Sequence, residues 1–146
     1  MFDWLSSGKK PNEQGNQEYF GSLTALHQHV SNAVSTVKEI ANSLNPKYSE
    51  EGLSNISQRF EGISKEYTDF TVIQSNSFYE VLNRSKSRLN AAKKVAKEAK
   101  NIAKLFEKYA RRPISYSAVD SRLAINKLAG ELRNLAMYCT PEVAND

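Results

Sequence analysis

The chain has 146 residues, 40% of them hydrophobic, and carries 20 Lys or Arg against 16 Asp or Glu for a formal net charge of +4. That length suits one domain, its single cysteine excludes an internal disulfide framework, and no apolar run reaches the roughly 18 residues of a transmembrane helix. With a pI near 9.1, the charge balance points to anionic partners.

Residues 1–16 read as a separate segment. Phe2, Trp4 and Leu5 are apolar, Lys9 and Lys10 follow, and Gly8 to Pro11 ends whatever turn they make. One reading is a small amphipathic wedge that enters a lipid interface, with Lys9 and Lys10 at the headgroups. The other is a terminus that docks Trp4 on the protein body or stays without structure. The N-terminus lacks a hydrophobic stretch of signal-peptide length. Together with the lone cysteine, this makes the cytoplasm the expected compartment.

Residues 17–45 predict the first helix of a domain spanning 17–146. Leu23, Leu26, Val30, Ala33, Val37, Ile40 and Leu44 recur at steps of three and four. Pro46 ends the helix by forcing Asn45 out of the α region. His27 and His29 are two apart and so on different faces, which argues against a metal pair and for structural or surface roles.

Residues 49–112 predict a second and very long helix, capped by Ser49. Leu53, Ile56, Phe60, Ile63, Tyr67 and Phe70 form a coiled-coil seam. After Gln74 to Ser77 the seam resumes in a shifted register at Phe78, Leu82, Leu89, Ala92, Ala96, Ala99, Ala103, Phe106 and Ala110, as in a stutter. Unbroken, this helix measures about 96 Å. Ser77 with Glu80 also fits a capping box, and a break there would give a compact four-helix bundle. The expectation is a continuous or kinked helix.

Its second half carries the charge. From Arg84 to Arg112 there are eleven Lys or Arg against two acids, Glu98 and Glu107. Lys86, Lys93, Lys97, Lys100, Lys104, Lys108 and Arg111 fall within roughly 80° on a helical wheel, opposite the alanine seam. This ridge, about 38 Å long, either meets solvent or lies on an anionic partner. Like charges at helical spacing repel, so an anionic partner would relieve them.

Pro113 ends the long helix and Ser117 with Asp120 predicts the next cap. The third helix runs to about Cys139 on a seam of Ile125, Leu128, Leu132 and Leu135, with Thr140-Pro141 ending it. Cys139 completes that seam and reads as a packed thiol. No phosphate loop, zinc-protease motif, cysteine pair or nucleophile elbow occurs, so neither enzymatic activity nor a cofactor is expected.

This pattern resembles the BAR superfamily of membrane-binding coiled coils, most closely its small ciliary CBAR-type members, over about residues 52–136. Gly52 to Ile56 with Phe60 and Ile63 looks like the start of the second BAR helix. Ser77 to Leu82 looks like its middle, and Asn101 to Pro113 like its basic distal arm and tip. The resemblance implies an all-α, elongated antiparallel helical coiled coil of three helices, the middle one very long, forming a homodimer. It also implies a peripheral protein that senses or generates curvature on anionic phospholipid. The lipid-binding cations would be Lys93, Lys94, Lys97, Lys100, Lys104, Arg111 and Arg112, with Phe2, Trp4 and Leu5 as an inserted N-terminal segment. Two departures stand against it: the third helix is far shorter than the second, and the first helix is short. An ESCRT-III-like membrane-remodelling subunit and a helical protein–protein adaptor are the alternatives. Nucleic acid is disfavoured because no aromatic residue lies on the ridge to stack bases.

Overall fold

The computed structural model describes residues 11–140, with side chains from Tyr19 onward. Among the described residues there are five α-helices and no strand: α1 Pro11–Asn42, α2 Glu50–Val72, α3 Tyr79–Asn83, α4 Lys86–Arg111 and α5 Ala118–Met137. A 3-10 turn, Pro113–Ser115, joins the last two. Three helix starts are capped by serine hydroxyls. Ser49 Oγ accepts from Gly52 N at 3.0 Å, Ser85 Oγ from Arg88 N at 3.2 Å and Ser117 Oγ from Asp120 N at 3.1 Å.

The continuous helix expected over 49–112 is corrected by two interruptions. α2 stops after the β-branched pair Thr71-Val72, and Ile73 leaves the helical region at φ −88°, ψ 108°. Asn76 then closes the turn: its N–H donates to Ile73 O at 2.9 Å and its Oδ1 accepts from Phe78 N at 2.9 Å. The Ser77–Glu80 capping box is not used: α3 starts after Phe78 without a side-chain cap, and Asn76 bonds the Phe78 N–H within the turn. α3 lasts little more than one turn before Ser85, extended at φ −130°, ψ 121°, starts α4.

The chain therefore folds back, and α2 and α4 lie antiparallel. Ser57 Oγ donates to Ala103 O at 2.7 Å, and Ser64 Oγ donates to Ala96 O at 2.9 Å. The two bonds are seven residues apart on both helices and run in opposite senses, which fixes the register. α1 returns along α5, where Arg122 Nε donates to Ala41 O at 3.3 Å and Tyr116 OH to Asn45 O at 2.8 Å. α5 returns along α4, with Lys127 Nζ 3.4 Å from Glu98 Oε1. The result is an up-down-up-down bundle of α1, α2, α4 and α5, with α3 as a link. In place of a 96 Å rod, its longest helix, α1, has 32 residues and so measures about 48 Å.

Most of the seams read from the sequence are buried in the core, while Ala33, Leu44, Ile63, Phe78 and Leu89 are only partly buried against it. Leu23, Leu26, Val30 and Val37 of α1 are buried with Leu53, Phe60 and Tyr67 of α2. Ala92, Val95, Ala99 and Phe106 of α4 meet Ile125, Leu128, Leu132 and Leu135 of α5. At one end, Tyr48 and Tyr116 meet edge to face at 5.4 Å and tie the α1–α2 turn to the 3-10 turn. At the other, the His29 ring lies 5.9 Å from Tyr67, 5.3 Å from Phe70 and 5.7 Å from Phe78, with Nε2 3.2 Å from Glu66 Oε1. His29 thus joins α1 to α2 and to the turn that follows it.

The same end buries Arg88 completely. Its Nε donates to Tyr138 O at 2.9 Å, and its Nη1 donates to Val81 O at 2.6 Å and to Tyr19 OH at 3.1 Å. Both carbonyls belong to helix C-terminal ends, those of α3 and α5, where peptide dipoles present partial negative charge. These carbonyls stand where a carboxylate would usually face a buried cation. Replacing Arg88 with Ala would leave them without donors and open a cavity. Chemical denaturation is expected to show a loss of about 3 kcal/mol or more.

Cys139 and Tyr67 are buried close by. Burial pushes the Cys139 thiol up to about 11 from its usual 9.0, against the lowering effect of Arg88. Burial, then the charge of Glu66, likewise raises the Tyr67 hydroxyl. Both groups hold their proton more tightly in the folded chain than in the unfolded one. The Cys139 contribution is therefore complete below pH 9.0 and is lost as pH rises toward about 11. Urea titrations at pH 8 and pH 11 are expected to differ by about 2–3 kcal/mol from this thiol, a drop that Cys139→Ala should reduce.

Candidate functional site

α4 divides cleanly into two faces. Small buried residues, Ala92, Ala96, Ala99, Ala103 and Ala110, let α2 approach closely on one side. Opposite them the cations point outward. Lys86, Lys93, Lys94, Lys97, Lys104, Lys108, Arg111 and Arg112 are exposed, and Lys100 is half-buried. The structure thus leaves every cation predicted on this helix and its tip on the solvent side; seven share one edge, and Lys94 and Arg112 lie beside it, about 100° round the helix from Lys93. Phe2, Trp4, Leu5, Lys9 and Lys10 lie outside the described residues.

Few carboxylates answer these cations. Glu61 of α2 holds Lys100 at 2.6 Å, and Glu107 holds Arg111 at 2.8 Å. Glu98, the other acid of this helix, is engaged by Lys127 of α5. Among the described residues, Lys86, Lys93, Lys94, Lys97, Lys104 and Lys108 have no ion pair. Lys108 and Arg111 lie in the last turn of α4, where they favour the helix dipole. No acid stands in its first turn.

Two features of this face escaped the sequence reading. Arg88 was counted with the basic run, yet it lies on the buried arc with Val95 and Phe106. Its helical position was the signal, since at 100° per residue it falls on the seam and not on the ridge. The second is a groove between α2 and α4, about 430 Å³, where Lys65, Thr68, Lys97 and Lys100 converge. It could not be read from a helix assumed continuous.

Among the described residues no group of three or more His, Cys, Asp or Glu gathers as for a metal ion, and no helix is long and apolar enough to cross a membrane. The chain matches no known protein family, no characterised protein and no solved structure.

The like charges along this edge repel one another, so its stability is sensitive to ions. Steps of three or four link Lys93, Lys97, Lys100, Lys104, Lys108 and Arg111. Each like-charged step costs about 0.2–0.5 kcal/mol at low ionic strength. Unfolding free energy is expected to rise by about 1–2 kcal/mol between 20 mM and 500 mM salt. Phosphate should act at lower concentration than chloride.

Proposed function

We propose that the bundle is a peripheral binding module for anionic phospholipid membrane and that α4 is its contact edge. One observation carries the reading: a straight row of exposed, mostly unpaired cations on a helix whose opposite face is wholly committed to the core. Each Lys or Arg near an anionic leaflet contributes about 1 kcal/mol, reduced by salt. Six such residues, Lys86, Lys93, Lys94, Lys97, Lys104 and Lys108, can therefore hold the protein on a surface even if only half make contact.

The reading keeps the anionic surface that the BAR resemblance implies and changes the means of meeting it. Contact comes from a straight edge about 38 Å long, not from a curved rod. Sensing or generating curvature would then require a homodimer that sets both α4 edges on one side. A second reading, a helical adaptor for protein partners, rests on α5, where Val119, Leu123 and Met137 are exposed on the outer face. In a homodimer the same face would join the two copies. Insertion of Phe2, Trp4 and Leu5 would add to the hold, and Trp4, the sole tryptophan, reports it directly through its fluorescence.

Cosedimentation tests the edge. Vesicles of phosphatidylcholine with 30% phosphatidylserine should pellet the protein at 50 mM salt, and pure phosphatidylcholine vesicles should not. Binding should vanish by 500 mM salt. A variant with Lys93, Lys97, Lys104 and Lys108 all changed to Glu should lose binding by more than about 100-fold while keeping its helical circular dichroism. Undiminished binding by that variant would dismiss the edge. Retention on duplex RNA instead of vesicles would move the reading to nucleic acid.

A further inference from the structure

The groove between α2 and α4 opens along the lysine edge, and its chemistry is more specific than the edge itself. Lys65, Lys97 and Lys100 line it together with Thr68 and Glu61, and Ser64 and Ala96 form its floor. The floor is fixed, because Ser64 Oγ donates to Ala96 O at 2.9 Å. Lys97 is exposed and has no ion pair among the described residues. Lys100 Nζ reaches across the groove to Glu61 Oε1 at 2.6 Å, and Lys65 Nζ lies 2.9 Å from Asp69 Oδ2.

We propose that this groove takes a phosphomonoester, borne on a lipid headgroup, and that Glu61 occupies Lys100 until the phosphate displaces it. The proposal rests on the membrane reading above and deepens it. A phosphomonoester carries about −1.5 to −2 charge at neutral pH and three acceptor oxygens. Lys97, Lys100 and the Thr68 hydroxyl offer donors to all three. Glu61 presents one negative charge, and an exposed pair such as Glu61–Lys100 is easily exchanged. A phosphodiester with its single charge gains little over Glu61, so the groove discriminates between the two.

The test compares two vesicle sets matched in surface charge, one carrying phosphatidylserine and the other a phosphatidylinositol monophosphate, in phosphatidylcholine. The readout is the ratio of the two affinities. The native chain is expected to favour the phosphomonoester by about fivefold, the worth of one further cation contact. Glu61→Gln frees Lys100 for either headgroup, so it should strengthen binding to both vesicle sets and lower the ratio toward one. Thr68→Val should lower it toward one, and Glu50→Gln, a charge change outside the groove, should leave it unaltered. A native ratio of one, with binding to both vesicle sets, would overturn the groove assignment and leave the edge standing. Binding to neither set would overturn the membrane reading as well. Calorimetric binding of soluble inositol monophosphate without any vesicle preference would overturn the lipid source.

Discussion

The buried guanidinium of Arg88 is the constraint on which the arrangement depends. It touches α1 through Tyr19, α3 through Val81 and α5 through Tyr138, from its own position in the first turn of α4. A buried cation needs compensating negative charge, and here two helix C-termini supply it. Those carbonyls reach Arg88 only if α3 and α5 both end beside the start of α4. The interruption at Ser85 follows from this demand, because a helix running straight through would carry Val81 O along its own axis. Cys139 and Tyr67 are buried at the same end.

The rest of α4 follows from what packs behind it. Alanines at positions 92, 96, 99 and 103 allow the α2 backbone close enough for Ser57 and Ser64 to bond α4 carbonyls directly. Serine hydroxyls inside helices usually turn back to their own chain. Here the close approach gives them a partner on the neighbouring helix. An edge set on such a base is held rigid along its length. Its cations then lose only side-chain freedom on meeting a surface, and the binding energy is not spent on ordering the backbone.

Much of this was legible in the residues. The seams, the serine caps at 49 and 117 and the lysine edge follow from spacing alone. The turn at 73–78 was visible only as an ambiguity, since a polar patch within a seam reads equally as stutter or as break. The periodicity that gives Leu53 or Ala99 an apolar neighbour does not say whether that neighbour belongs to the same chain. Arg88 was hidden by composition, one basic residue among eleven, though its wheel position set it apart. The groove at Lys97 and Lys100 depends on α2 lying alongside α4, which no local pattern records.

A rod and a hairpin bury the same two seams, so the choice between them turns on entropy. Closing the hairpin through residues 73–85 adds a length-dependent cost of about 2.3 kcal/mol. Burying the seams between two rods instead costs roughly 4–15 kcal/mol in lost translational and rotational freedom. The hairpin is favoured unless two copies gain contacts that one chain cannot make. Arg88 tips the balance further, because its partners on α1, α3 and α5 all lie within one chain. Folding back also has an electrostatic consequence. The α2 stretch, rich in acids, is brought beside the basic α4, yet among the described residues only Glu61 crosses to a lysine of α4. The acids of α2 mostly face other directions, such as Glu66 toward His29 and Asp69 toward Lys65. The net charge of +4 is therefore a poor guide to this surface: the fold separates charge by face, and the α4 edge presents a field far more positive than the chain's total.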